Sequence, residues 1–259
     1  MSGLTEEQRR LVDDLARRLR AARDPMALTG AGVSTESGIP DFRSAESGIW
    51  REHDPMEVAS LEGFRREPRR FYTFWEPRFG KLGEARPNAA HRVLAALERA
   101  GMLSGVVTQN IDGLHGVAGS ERVLEVHGSY RQARCLRCGR VESLEAVTER
   151  VRQGRLPICE DCGELMKPDV VLFGEQLPPV FAEATRLARQ TDLLVVLGSS
   201  LGVHPVAGLV PEAHEAGAAV VLINREPSPY DEMADVVIHG ELGPVSRALA
   251  ERLGFELAD

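Results

Sequence analysis

The chain has 259 residues, with 43% hydrophobic and 27% charged residues, which is ordinary for a globular protein of one large domain or two smaller ones. Its net charge of -8 disfavours a general nucleic-acid binder. No apolar run approaches the ~18 residues that a membrane-spanning helix needs, and the charged N-terminus lacks a signal-peptide pattern. We therefore expect a cytoplasmic protein with no membrane partner.

The first element is predicted from a capping box. Gln8 stands three residues after Thr5, and an apolar face with helical spacing follows it. This pattern predicts a helix over residues 6–22. Asp24 and Pro25 end the helix, because the residue before a proline disfavours helical geometry.

A glycine-rich loop over residues 30–43 follows a short buried strand at 26–29. Gly30 and Gly32 leave room for a phosphate near the backbone, and the turn offers N–H groups to a pyrophosphate. The dinucleotide fingerprint is incomplete, because Thr35 stands where its third glycine belongs. The loop also carries side chains that a simple turn does not need: Ser34, Glu36, Asp41, Phe42 and Arg43.

Residues 44–85 differ from their surroundings, being rich in arginine, glutamate and aromatic residues, and they hold both tryptophans. We predict two or three short helices there, either as a mobile insertion or as a layer packed on the core. Helical spacing returns over residues 88–100, and Gly101 ends that helix.

Further apolar runs predict buried strands that alternate with helices, as in a doubly wound parallel sheet. The strands are expected at 105–108, 122–126, 192–197, 218–223 and 234–238, with a last helix at 243–253. Polar or small residues follow the strand ends, where ligands bind in open α/β sheets. These are Gln109, Asn110, Ile111 and Asp112 after one strand, His127 after the next, then Gly198, Ser199 and Ser200, and finally Asn224, Arg225 and Glu226. His127 is the candidate general base.

All four cysteines lie in two Cys-x-x-Cys knuckles, Cys135 with Cys138 and Cys159 with Cys162. Four thiolates at this spacing predict a closed tetrahedral zinc site. A site with four protein ligands has no open position for a substrate, so the zinc is expected to be structural. The alternative is a pair of redox-active dithiols.

The motifs together resemble those of the sirtuins, NAD-dependent protein lysine deacylases. They occur in family order over roughly residues 10–255: GAGVSTESGIPDFR, TQNIDGLH, His127-Gly128, the four cysteines, KPDVVLFGE, GSSL and Asn224-Arg225-Glu226. The resemblance implies a Rossmann-like parallel sheet with helices on both faces, a small zinc-binding module and a helical insertion. The implied divisions are residues 1–43, 86–128 and 176–259 for the NAD-binding domain, 44–85 for the insertion and 129–175 for the zinc module.

The resemblance also implies roles for individual residues. His127 is the general base, Asp112 holds the nicotinamide carboxamide, and Phe42 covers the place where nicotinamide leaves. The implied NAD-binding set is Gly30, Ala31, Gly32, Ser34, Glu36, Asp41, Phe42, Arg43, Gln109, Asn110, Ile111, Asp112, Gly198, Ser199, Ser200, Asn224, Arg225 and Glu226. The implied substrate-binding set is Val171, Phe173, Gly174 and Tyr72, and the peptide partner adds as a strand between two domains.

The family also suggests which acyl group is removed. Sirtuins that prefer succinyl- or malonyl-lysine carry Tyr-x-x-Arg in the helical insertion. Here Tyr72 is followed three residues later by Trp75, and an indole cannot pair with a carboxylate. We therefore expect acetyl-lysine proteins or peptides as partners, although Arg78 could compensate for the missing arginine.

Other functions remain open at this stage. Within the family they are removal of acidic or long acyl chains and mono-ADP-ribosyl transfer to protein. Outside it, an NAD(H)-dependent oxidoreductase would need the missing third glycine. A zinc-ribbon binding module without catalysis would leave His127 and residues 109–112 unexplained.

Overall fold

The computed structural model describes residues 3–42 and 48–257, so Arg43 lies outside the described residues. The strands are β1 (Pro25–Thr29), β2 (Val106–Thr108), β3 (Val123–Glu125), β4 (Gly128–Cys135), β5 (Val141–Ser143), β6 (Met166–Val170), β7 (Leu193–Leu197), β8 (Ala219–Asn224) and β9 (Val236–His239). The α-helices are α1 (Glu6–Ala21), α2 (Pro55–Val58), α3 (Leu61–Arg66), α4 (Pro68–Glu84), α5 (Ala89–Arg99), α6 (Leu114–Val117), α7 (Leu144–Arg152), α8 (Val180–Ala188), α9 (Leu209–Glu215) and α10 (Leu242–Leu253). Short 3₁₀ helices cover Ala31–Ser37, Ile49–Arg51, Val206–Gly208 and Asp231–Met233.

The main sheet of the described ranges is parallel and six-stranded, in the order β3-β2-β1-β7-β8-β9. Strands β1 to β3 build one half, and β7 to β9 build the other. The direction of winding therefore reverses between β1 and β7, where Thr29 lies beside Leu197. This crevice at the carboxyl ends of the strands is where doubly wound folds bind ligands. The predicted fold class is confirmed.

Helices cover both faces of this sheet, which explains the continuous apolar strands. Ala27 of β1 belongs to a core that also contains residues of α1, α5 and α10. Its neighbours Met26 and Leu28 point to the opposite core, which includes residues of α8 and α9. Successive side chains of a strand alternate between faces, so a strand buried on both sides must be apolar throughout.

The predicted first helix forms, with its capping box intact. Thr5 Oγ1 accepts from the Gln8 N–H (3.1 Å), and Gln8 Oε1 accepts from the Thr5 N–H (2.9 Å). The helix ends at Ala21 instead of residue 22.

The insertion differs from the prediction of short helices, because α4 is 17 residues long and contains Pro77. A proline inside a helix removes one hydrogen bond and costs about 3 kcal/mol. The buried rings of Phe71, Tyr72 and Phe79 hold the helix on the rest of the protein and offset this cost. Pro68 begins α4, a position that suits proline.

A second, antiparallel sheet in the order β5-β4-β6 carries the cysteine knuckles. It shares a third core with the insertion, in which Phe64, Phe71 and Tyr72 meet Ala133 and Met166. The insertion and the cysteine-containing sheet are thus joined by packing. Over the described ranges, no helix combines the length and the apolar character that crossing a membrane would require.

Candidate active site

A cleft lies along the carboxyl edge of the main sheet, at the crevice between β1 and β7. It is lined by most of the residues that the sequence predicts for the cofactor, together with the candidate base. These are Gly30, Ala31, Gly32, Asp41, Phe42, Gln109, Asn110, His127, Gly198, Ser199, Ser200, Asn224, Arg225 and Glu226. Five loops that are distant in sequence therefore converge on one surface.

Gly30 and Gly32 are glycines because the backbone after β7 comes very close to them. A Cβ on Gly30 would lie 2.8 Å from the Gly198 oxygen, and one on Gly32 would lie 2.8 Å from the Gly198 Cα. The Gly32 N–H donates to the Gly198 oxygen at 2.8 Å. From the sequence, these glycines are expected to make room for a phosphate. In the structure they allow the two loops of the cleft to touch.

A buried polar network lies behind the cleft. Ser34 Oγ donates to Asp112 Oδ2 (2.7 Å), and Asn110 Nδ2 donates to Ser34 Oγ (3.1 Å) and to the Gly30 oxygen (3.0 Å). The Leu114 N–H donates to Asp112 Oδ1 at 2.9 Å. Both carboxylate oxygens of Asp112 are therefore held in fixed directions. Ser34 and Asp112 stand one layer behind the residues that line the cleft.

The protonation of Asp112 reflects its surroundings. Burial raises the pKa of this carboxyl above its ordinary value. Hydrogen bonds from Leu114 and Ser34, together with the positive charge of Arg131, act in the opposite direction.

His91 and His115 lie next to this network, with ring centroids 4.9 Å apart. Burial lowers the pKa of His91 to about 3 and that of His115 to about 4, so both rings are neutral near pH 7. The Asn88 N–H donates to His91 Nδ1 (3.3 Å), which assigns the proton to Nε2, 3.5 Å from Ser34 Oγ. His115 Nε2 lies 2.9 Å from Thr29 Oγ1.

His127 is oriented by the backbone of the neighbouring strand end. Its Nδ1 lies 2.9 Å from the Gln109 carbonyl oxygen, an acceptor that requires the proton on Nδ1. The lone pair is then on Nε2, the atom suited to accept a proton. The next residue, Gly128, has φ 79°, and a Cβ there would lie 2.1 Å from the Asp169 oxygen. Only glycine permits this bend after His127.

Aromatic rings pack around Phe42, which lines the cleft. Phe42 stacks on Trp50 with centroids 5.2 Å apart, and Trp75 lies 6.5 Å from Phe42. The backbone N–H of Trp50 donates to the backbone oxygen of Phe42 at 3.0 Å, which joins the two described ends of the loop. Trp75 Nε1 donates to the Val58 oxygen. Phe42 therefore faces the cleft with two indoles behind it.

The cleft is also lined by residues that the sequence analysis missed: Thr35, Val203, Gly240, Glu241 and Leu242. Glu241 Oε1 lies 3.7 Å from Arg225 Nη1, so these two side chains form an ion pair. Gly240 directly follows β9, and the strand-end rule that selected Asn224 would also have selected it.

The side chain of Glu36, which the sequence predicts to bind the cofactor, contacts α10 in the structure. Its Oε1 accepts from the Gly243 N–H at 2.6 Å, in the first turn of α10. A carboxylate is stabilised at a helix N-terminus. Glu36 therefore ties the glycine-rich loop to α10 and does not line the cleft.

Tyr72, which the sequence predicts to bind the substrate, lies in the interior of the structure. Its side chain is fully buried, and its hydroxyl donates to the Met166 oxygen at 2.8 Å. Burial raises the pKa of this phenol far above its ordinary value. Tyr72 is part of the core between the insertion and the small sheet, and Trp75 is the residue of that helix that approaches Phe42. Ile111, a predicted nicotinamide contact, packs against the same core.

The segment with Val171, Phe173 and Gly174 follows β6. The Val171 N–H donates to the His127 oxygen (2.8 Å), and the Phe173 N–H donates to the Ala59 oxygen (2.9 Å). The Val171 oxygen and the Gly174 N–H make no hydrogen bond to the part of the chain that the structure describes. These two groups are available for an added peptide backbone.

The four cysteines meet as the sequence predicts, with all Sγ atoms within 4.8 Å of one another. Cys135 Sγ lies 3.4 Å from Cys162 Sγ, and Cys138 Sγ lies 3.6 Å from Cys159 Sγ. Zinc–sulfur bonds of about 2.3 Å in a tetrahedron need sulfur atoms at about this separation. The donor set fits one structural zinc ion, at the opposite end of β4 from His127.

The Sir2 family model matches residues 30–205 of the chain. The chain belongs to the Sir2 family. Its relatives include "NAD-dependent protein deacetylase 2" of Caldanaerobacter subterraneus, 43% identical over 90% of this chain and 92% of that protein. The "NAD-dependent protein deacetylase" of Sulfolobus acidocaldarius is 45% identical over 91% of this chain and 90% of that protein.

Solved Sir2 structures have the same fold. One, of a Sir2 with deacetylated p53 peptide and 3′-O-acetyl ADP-ribose, has a TM-score of 0.91 at 35% identity and covers 95% of this chain and 99% of that chain. Another, on the mechanism and regulation of Sir2 enzymes, has a TM-score of 0.87 at 42% identity over 96% of this chain and 99% of that chain. This Sir2 family member thus resembles these proteins in both sequence and architecture.

Proposed function

We propose that the chain is an NAD-dependent protein lysine deacetylase that transfers the acetyl group to ADP-ribose. The observation that carries the proposal is the placement of His127. Its Nε2 lone pair is fixed by the Gln109 carbonyl, in a cleft that joins the glycine-rich loop to the ends of β2, β7 and β8. The names of the relatives support the same activity.

NAD is the co-substrate: the acyl oxygen displaces nicotinamide at C1′ of the ribose. Asn110, which lines the cleft, receives the carboxamide end of the co-substrate, and the buried carboxylate of Asp112 behind it holds Asn110 in place through Ser34. Ser199 and Ser200 present hydroxyl groups to the phosphates and ribose, next to Gly198 in the same loop. Asn224 and Glu226 bind at the adenosine end, and Arg225 is held beside them by Glu241.

His127 then acts as the general base. Its Nε2 accepts a proton from a ribose hydroxyl, and the oxygen attacks the acyl carbon. The products are free lysine, nicotinamide and O-acetyl-ADP-ribose. Zinc bound by the four cysteines would contribute folding stability only, because no ligand position would remain open for a substrate.

The peptide substrate adds to the segment after β6. The Val171 oxygen and the Gly174 N–H bind its backbone, and Phe173, which is partly exposed, contacts its side chains. Trp75 behind Phe42 supports a small uncharged acyl group, because an indole offers no charge to a carboxylate. Arg78, the residue that could compensate for the missing arginine, stacks its guanidinium 3.7 Å over the Phe74 ring.

We also propose the division into an NAD-binding domain, a helical insertion at 44–85 and a zinc module at 129–175. A cytoplasmic location is supported by the need to keep four cysteines as thiolates.

The test is a measurement of nicotinamide and NADH on incubation with NAD and an acetyl-lysine peptide. We expect one nicotinamide per acetyl group removed and no NADH. NADH formation would favour the oxidoreductase, and ADP-ribose attached to protein without loss of acetyl would favour the ADP-ribosyltransferase.

A further inference from the structure

Lys167, in β6, is a buried cation with 7% of its surface exposed. Its Nζ donates to the Pro168 oxygen at 2.9 Å and to the Val170 oxygen at 2.6 Å. The same Nζ lies 3.0 Å from Glu175 Oε2. An ammonium group has three N–H donors, so every donor of Lys167 has a partner.

Glu175 connects this cation to the segment that follows β6. Its Oε2 also accepts from the Leu172 N–H at 2.8 Å. The Glu175 N–H in turn donates to the Leu172 oxygen at 3.0 Å. Residues 172–175 therefore form a closed turn, and Lys167 attaches that turn to the end of β6.

The other contacts of the turn are with the helical insertion. The Phe173 N–H donates to the Ala59 oxygen, and the Leu61 N–H donates to the Phe173 oxygen at 3.0 Å. These bonds use one edge of the segment. The turn fixes the positions of the Val171 oxygen and the Gly174 N–H, the two groups that are proposed above to bind the peptide.

We propose that Lys167 is a positioning residue for the peptide substrate. Its ammonium group, through Glu175, holds residues 171–175 in the shape that presents the Val171 oxygen and the Gly174 N–H to an extended peptide. This inference rests on the proposed deacylase function. Lys167 is buried and is not among the residues that line the NAD cleft.

The sequence offers a matched control, because Lys81 and Lys167 are the only lysines in the chain. Lys81 is exposed in the last turn of α4. The first experiment compares steady-state kinetics of Lys167→Met and Lys81→Met with those of the unaltered protein. Methionine keeps the length of the side chain but removes the ammonium group.

We expect Lys167→Met to raise KM for an acetyl-lysine peptide by about 10-fold or more, as the loss of charged hydrogen bonds implies. KM for NAD should stay within about 2-fold, since the NAD cleft is not touched. Lys167→Arg should restore part of the loss, and Lys81→Met should change neither constant. An unchanged peptide KM in Lys167→Met, or equal increases in both KM values, would overturn the proposal.

A second experiment needs no Lys167 variant and covers the case in which Lys167→Met does not fold. The protein, without NAD, is treated with an amine-acetylating reagent, and the two lysines are followed by mass spectrometry. Lys167 should react at least ~10-fold more slowly than Lys81, and an N-terminally blocked acetyl-lysine peptide should slow it further. Glu175→Gln should make Lys167 more reactive and raise the peptide KM.

Equal reactivity of the two lysines would contradict a closed turn in solution. A reactive Lys167 in Glu175→Gln with an unchanged peptide KM would also overturn the proposal. If the unaltered protein releases no nicotinamide with any acyl peptide, the proposed function fails instead. Protection of Lys167 by a peptide is measured without NAD and therefore without turnover. Failure of the positioning role can thus be told apart from failure of the proposed function.

Discussion

The imidazole of His127 is oriented by a main-chain atom of Gln109: Nδ1 lies 2.9 Å from that carbonyl oxygen. The side chain of the same Gln109 points elsewhere, with Nε2 donating to Ser199 Oγ at 2.8 Å. One residue thus fixes the candidate base through its backbone and the β7 loop through its side chain. Substitution can separate the two roles.

His127→Ala should retain NAD binding and lose deacetylation by ~100-fold or more, the usual contribution of a general base. Calorimetric titration of NAD and mass-spectrometric assay of an acetyl peptide measure the two effects. His214→Ala, at an exposed position in α9, is the control and should keep full activity. Full turnover by His127→Ala would disprove the base assignment.

Gln109→Ala removes the hydrogen bond to Ser199 but keeps the carbonyl that orients His127. We expect NAD affinity to fall by roughly 2- to 10-fold, the effect of one neutral hydrogen bond. The pH dependence of kcat should not change, because the base keeps its tautomer. A shifted pH profile would show that the side chain of Gln109 also acts on His127.

Removal of zinc should unfold the small sheet, since the four thiolates join the end of β4 to the segment that leads into β6. Circular dichroism and zinc content, followed together during chelation, should change in parallel, and activity should disappear with them. Cys159→Ser should give the same result without a chelator. A folded, active enzyme free of zinc would contradict a structural role.

The pair His91 and His115 should make the fold sensitive to acid. Their pKa values in the folded protein are about 3 and about 4, against about 6.5 in an unfolded chain. Below about pH 6.5 the unfolded chain therefore binds more protons, and the free energy of unfolding falls as the pH decreases towards 4. The slope contributed by each histidine approaches ~1.4 kcal/mol per pH unit.

Urea unfolding at several pH values between 7.5 and 5 measures this slope. His115→Gln should reduce the slope, whereas His214→Gln, exposed on α9, should leave it unchanged. An equal slope in His115→Gln and the unaltered protein would show that other groups cause the acid sensitivity.

Local patterns predicted much of this molecule. Thr5 and Gln8 marked the start of α1, and continuous apolar runs marked strands such as β7, because a strand buried on both faces needs them. The cysteine spacing predicted the thiolate cluster, since knuckles bring their own ligands together. These features depend on neighbours in sequence.

The features that the sequence did not reveal are decided by distant partners. Pro77 lies inside α4 because rings on that helix pack into the third core, which the sequence of the helix does not reveal. Glu36 turns to the start of α10, and Tyr72 turns to Met166, each towards a partner far along the chain. The motifs place these residues in loops, but only the fold decides which way each side chain points.

The chain is proposed to remove acetyl groups from lysine and to consume one NAD for each group removed. The most direct measurement is a mass-spectrometric time course on matched acetyl-, succinyl- and myristoyl-lysine peptides, each with and without NAD. We predict loss of acetyl that requires NAD, with O-acetyl-ADP-ribose formed one for one. Faster loss of succinyl would keep the enzyme class but contradict the role of Trp75, and no mass change with any peptide would contradict deacylation itself.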